Sequence, residues 1–136
     1  MDGPITVNVD GGARGNPGPA AVAAVASVGG EVLAERSEAI GDATNNVAEY
    51  RAMLLGISLA RELEADEVEL IGDSELIVKQ VRGEYKVKQE HLRPLRAQVV
   101  EALAGLGSWT IRNVPREDNE RADALVNEAL DGTSTP

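Results

Sequence analysis

A chain of 136 residues is long enough to bury the core of one domain and gives no cause to expect two. No run approaches the roughly 18 apolar residues of a membrane-crossing helix, and the absence of cysteine excludes a disulfide framework and thiolate chemistry. A net charge of -10 argues against a polyanionic partner, because nucleic-acid binders usually carry a basic footprint.

The N-terminus shows no basic segment followed by an apolar one, so no signal peptide is read there and a cytoplasmic location is expected. With no Phe, the interior falls to Val, Leu, Ile and Ala. Ile5, Val7 and Val9 alternate with Thr6, Asn8 and Asp10, the period-two pattern of a half-buried strand. That pattern puts Asp10 on the polar face at the strand's end. A glycine-rich stretch follows, "GGARGNPGP". It lacks the Gly-Lys-Ser/Thr of a Walker nucleotide loop, and Pro17 and Pro19 lead into a strand rather than a helix. The segments "AAVAAVASV" and "EVLAERSEAI" flank Gly29 and Gly30 as a hairpin with a two-residue turn. The first three strands therefore read as an antiparallel meander.

From Thr44 to Leu63 the period becomes helical, with Val47, Tyr50, Leu54, Ile57 and Leu63 on one face and Asp42, Thr44 and Asn45 as candidate N-caps. "DEVELIGDSE" reads as a strand ending at Asp73, followed by a helix to about Val81. Leu92, Leu95, Val99, Leu103 and Leu106 mark another helix, with Pro94 acceptable in its first turn. "SWTIRNV" is a fifth strand, with Trp109 read as a core position, and "NERADALVNEAL" a last helix. One domain is expected over residues 1–130, with 131–136, "DGTSTP", as a flexible tail. Strands with interspersed helices imply an α/β fold, a mixed sheet covered on both faces. Between 79 and 96 lie six basic residues, Lys79, Arg82, Lys86, Lys88, Arg93 and Arg96, against Glu84 and Glu90. This stretch is either a solvated face or a local footprint that softens the objection from net charge.

Four carboxylates sit where elements begin or end: Asp10, Glu49, Asp73 and Asp123. If the first and fourth strands are parallel neighbours, Asp10 and Asp73 emerge at one carboxyl edge, about 5 Å apart, where open sheets bind ligands. Glu49 and Asp123 could reach that edge from flanking helices. Four such acids would repel and raise one another's pKa unless cations neutralised them. Hard oxygen donors point to Mg²⁺ or Mn²⁺. Each acid taken singly is equally a turn or helix cap, a dipole partner or an exposed ion-pair member. The combination is what is specific. A phosphatase of the haloacid dehalogenase type would need an Asp two residues after Asp10, where Gly12 stands.

Four separated motifs in order, "DGGARGNPGPAA", "TNNVAEYRAML", "LIGDSELIVKQV" and "NERADALVNEA", resemble type 1 ribonuclease H, and the match runs from Ile5 to about Leu130. The resemblance implies a ribonuclease H-like fold, a five-stranded mixed sheet in the order 3-2-1-4-5 flanked by helices. It implies a monomeric endonuclease that hydrolyses the RNA strand of RNA/DNA hybrids, leaving 5'-phosphate and 3'-hydroxyl ends. It carries the catalytic acids onto Asp10, Glu49, Asp73 and Asp123, holding two Mg²⁺ ions, with Mn²⁺ as a substitute. Substrate contacts carry over to Gly11, Asn16, Thr44, Asn45 and Asn46. A non-catalytic hybrid-binding module of the same fold is the rival, though it would have little use for all four acids.

Three departures from longer members stand out. Where many have a histidine before the last helix, "VPREDNERAD" offers Arg116, which can contact phosphate or aid product release but cannot be a base. The basic handle that grips the hybrid is missing, a feature shared with short archaeal and bacterial members, some of which also cut double-stranded RNA or RNA/DNA junctions. Groove-lining aromatics are scarce too, and His91, the only histidine, is read as a surface residue.

Overall fold

A computed structural model describes residues 4–134. The chain forms β1 (Ile5–Ala13), β2 (Gly18–Val28), β3 (Glu31–Ala43), α1 (Asn45–Glu62), β4 (Glu67–Gly72), α2 (Glu75–Val81), α3 (Arg93–Ala104), β5 (Ser108–Asn113) and α4 (Glu120–Ser134). Short 3-10 turns precede α3 and α4. The sheet order is β3-β2-β1-β4-β5, with β1, β2 and β3 antiparallel and β1, β4 and β5 parallel. This is the arrangement that the resemblance implies.

Helices cover both faces. On one, Ile5, Val7 and Val9 of β1 and Leu70 of β4 pack under Tyr50, Met53 and Ile57 of α1, Ile77 of α2, and Val99 and Leu103 of α3. On the other, Ala21, Ala23 and Val25 of β2 meet Ala122, Leu125, Val126 and Leu130 of α4. Strand β2 is consequently buried without a break from Ala20 to Ala26, which explains its continuous apolar run in place of alternation. Thr44 caps α1, its Oγ1 accepting from Val47 N–H at 3.2 Å, and Ser74 caps α2 in the same way at 3.3 Å.

Two expectations shift. Helix α4 does not stop at Leu130 but runs to Ser134, and Asp131, in the expected tail, pairs with Arg14 at 2.8 Å. Positions 135 and 136 lie outside the described residues. Trp109 is not in the core: it is 39% exposed, because β5 is an edge strand in which only Ile111 is buried. No described helix is long and apolar enough to cross a membrane.

Candidate active site

Strand β1 delivers Asp10 to the middle of the molecule, where it is only 6% exposed. Asp10 does not end the strand, contrary to the alternation reading. On one side β1 keeps pairing with β2 through Gly11, Gly12 and Ala13. On the other, its parallel pairing with β4 stops at Asn8 and Ile71. Asp10 and Asp73 each lie two residues beyond that last pair, so the same register step brings both to the opened seam between the strands.

Glu49 comes from the first turns of α1. It gets there because α1 starts against bare backbone: a Cβ on Gly11 would lie 2.2 Å from the Ala48 carbonyl oxygen. Gly11 N–H in turn donates to the Glu49 carboxylate. Asp10, Glu49 and Asp73 each present an oxygen within 4.8 Å of the others. Asp123 stands outside that trio. It enters from α4, hydrogen-bonded to the Asp10 carboxyl and held by Arg116 Nη2 at 3.0 Å. All four acids and Arg116 line one open cleft.

Burial, then the charges of Asp73 and Asp123 and the hydrogen bond to Asp123, push Asp10 up to about 8, with only Arg116 opposing. Burial and the same kind of crowding from Asp10 and Asp73 push Glu49 well above the usual carboxylate range, against the Gly11 N–H. Hard anionic oxygens held together at this electrostatic cost fit a divalent cation. The donor set holds no nitrogen or sulfur, which suits a hard cation.

The turn after β1 is closed by Arg14 N–H donating to Pro19 O at 2.8 Å and contains a cis Asn16-Pro17 bond. Gly11, which the alternation reading puts beyond the end of the strand, is a strand residue whose missing side chain admits α1. Asn16 and Asn45 do come together: Asn16 Oδ1 accepts from Asn45 N–H at 3.0 Å, and Asn45 Oδ1 accepts from Ala13 N–H at 2.9 Å. Both side-chain oxygens are thus committed to backbone, which turns the Nδ2 groups into the available donors. Asn45 lines the carboxylate cleft. Asn46 does not; it lines a second groove with Leu76, Gln80, Tyr85, Lys86 and Lys88.

Much of the basic stretch is spoken for. Lys79 pairs with Glu75 and Arg82 with Glu84, while Arg93 and Arg96 donate to the carbonyls of Val87 and Gln80. His91 is exposed, as read. Sequence reasoning missed Asn119. This residue is 2% exposed, its Nδ2 donates to Val9 O at 2.9 Å and lies 3.5 Å from Asp73 Oδ2, and its Oδ1 accepts from Asn8 at 3.1 Å. It ties the start of α4 to β1 and to Asp73. The only signal was an Asn directly before a helical period, which reads as a cap.

A family model described as reverse transcriptase-like matches residues 8–129. The chain is 47% identical over 130 residues to a ribonuclease HI of Halobacterium salinarum, a match covering 95% of this chain and 65% of that protein. The solved RNase H1 from Halobacterium salinarum NRC-1 superposes with a TM-score of 0.92 at 46% identity, covering 96% of this chain and 99% of that one. LC11-RNase H1, solved in complex with RNA/DNA hybrid, gives 0.90 at 41% identity, covering 96% and 99%. The chain spans less than two thirds of the Halobacterium salinarum relative, and 36% of the length of the mycobacterial relatives it matches at 42% identity.

Proposed function

Because the chain belongs to the type 1 ribonuclease H family, we propose that it is an endonuclease hydrolysing the RNA strand of RNA/DNA hybrids, to 5'-phosphate and 3'-hydroxyl ends. The observation that carries this reading is the convergence of Asp10, Glu49 and Asp73 at the seam between β1 and β4, with Asp123 alongside. Asp10, Glu49, Asp73 and Asp123 would hold two Mg²⁺ or Mn²⁺ ions. When bound, such a pair supplies an activated water and neutralises charge on the leaving oxygen.

The chain's own residues do the positioning. The Nδ2 groups of Asn16 and Asn45 are placed to donate to a 2'-hydroxyl, the group that distinguishes RNA from DNA in the shallow minor groove. Thr44 and the start of α1 suit a phosphate of the DNA strand. Arg116, 75% exposed at its side chain, can exchange part of its bond with Asp123 for a phosphate oxygen and so help product leave. In this reading the catalytic domain expected over residues 1–130, with α4 continuing to Ser134, acts as a monomer in the cytoplasm. The second groove, with Lys86 and Lys88 on its rim, gives a modest grip in place of a basic handle, so double-stranded RNA and RNA/DNA junctions belong among the substrates to try.

The test is a cleavage panel of labelled hybrid, duplex RNA, duplex DNA and single-stranded RNA with Mg²⁺ and with Mn²⁺. The parent should cut the hybrid's RNA strand, and Asp73→Asn should lose at least about a hundredfold in rate with its melting temperature and hybrid affinity nearly intact. An Asp73→Asn protein that cuts at the parent rate removes the metal assignment. A parent that binds hybrid and cuts nothing is the binding module.

A further inference from the structure

Beyond the acids, the asparagines and Arg116, the cleft has a second cation to which none of these readings gives a role. Arg14 lines it together with Asn127 and Leu130, and its guanidinium pairs with Asp131 at 2.8 Å. The two residues reach this point along different elements. Arg14 lies four residues past Asp10 on extended chain, about 13 Å at ~3.3 Å per residue. Asp131 lies eight residues past Asp123 on α4, about 12 Å at ~1.5 Å per residue. They meet at the rim of the cleft, Arg14 on its lining and Asp131 paired to it.

The backbone of Arg14 is tightly fixed. Its N–H closes the turn onto Pro19 O, and a Cβ on Gly18 would fall 2.1 Å from its carbonyl oxygen. Its side chain is otherwise placed, 46% exposed, and its partner Asp131 is 68% exposed. An ion pair this open to water is weak, whereas guanidinium and phosphate make short, charge-assisted, bidentate bonds. Two residues further on stands Asn16, the proposed reader of the ribose hydroxyl.

We propose that Arg14 is a substrate-binding residue for the RNA strand, taking a phosphate next to the one cleaved, and that Asp131 is a latch that holds the guanidinium until that phosphate displaces it. The inference rests on the nuclease reading above. It makes the two members of one ion pair act in opposite directions, which a purely structural strap would not do.

Kinetics and equilibrium binding of a labelled RNA/DNA hybrid test it, binding being measured in the Asp73→Asn background across a salt series. Arg14→Ala should raise KM and Kd about fivefold with kcat within about twofold, and reduce the slope of log affinity against log salt by about one, as for one lost phosphate contact. Asp131→Asn should tighten hybrid binding about two- to fivefold at low salt, the range expected for releasing a surface pair. In the double variant Asp131→Asn should gain nothing, since the two act through each other. Unchanged affinity and salt slope in Arg14→Ala, or an Asp131→Asn that weakens binding as Arg14→Ala does, overturns the proposal. If Arg14→Ala does not fold, the direction of the Asp131→Asn change decides. A parent that binds hybrid without cutting it fails the nuclease reading alone, and one that does not bind fails both.

Discussion

At the scale of single residues, the site is defined by charges that oppose one another. In the unfolded chain Asp10 would ionise near the ordinary carboxylate value of about 4, whereas in the fold it is pushed up to about 8. A carboxyl raised in this way contributes stability that is fully present below the unfolded value and is lost as pH rises through the folded one. The metal-free protein should therefore be penalised at this site progressively between about pH 4 and pH 8. Melting curves in EDTA should show Asp10→Asn gaining on the parent across that window, reaching at least about 3 °C at pH 8. Mg²⁺ should close the gap by stabilising the parent. A gap that stays constant with pH would mean that Asp10 ionises freely in the fold. Asn119 belongs to the same scale: one buried amide satisfies the Val9 carbonyl and the Asn8 amide while standing beside Asp73. Removing it would leave those groups unpaired in the interior, which costs more than the bonds themselves contribute.

At the scale of elements, what matters is how closely α1 approaches β1. Neighbouring glycines on that strand separate the possible causes. A methyl on Gly11 would collide with the Ala48 carbonyl, whereas one on Gly12 would meet nothing nearer than Val126 Cγ1 at 3.8 Å, an ordinary contact. Gly11→Ala should thus destabilise by about 2 kcal/mol or more, the range for forced overpacking, and Gly12→Ala by less than about 1 kcal/mol. Denaturant melts of the two variants settle the comparison. Equal losses would assign the glycines to the flexibility of the turn instead. The elements themselves were legible in the sequence. The hairpin at Gly29 and Gly30, the Thr44 cap and the carboxyl-terminal placement of Asp73 all rest on local chemistry, which the residues carry with them. The extent of β1 was not legible, because whether Gly11 to Ala13 stay in a strand depends on β2 continuing beside them after β4 has left. The exposure of Trp109 was hidden for a similar reason: alternation gives the face of a strand, while burial depends on whether the strand is central or at an edge.

At the scale of the whole molecule, the four acids that line the cleft stand out in the sequence because the motifs carrying them are separate. Their unequal grouping does not. The trio of Asp10, Glu49 and Asp73 is built on the well-filled side of the sheet, with α1 and the parallel strands. Asp123 arrives on α4, which packs on β2 through a smaller cluster, Ala21, Ala23 and Val25 against Ala122, Leu125, Val126 and Leu130. A cluster this small buries less area than the one on the opposite face, so on the usual ~25 cal/mol per Å² it stabilises α4 less than that face stabilises α1. Arg121 clasping Glu35 and Asn119 on Val9 supply part of the difference. The molecule should therefore open in two stages, with α4 lifting as a unit while the remainder stays folded. Hydrogen exchange followed by mass spectrometry should find the α4 amides exchanging faster than those of α1 and β4, and slowed selectively by Mg²⁺; equal protection in both helices would remove this picture. An enzyme built this way would carry its own off state. Each lifting of the last helix would take one acid away from the other three, and a cation held by all four would draw it shut.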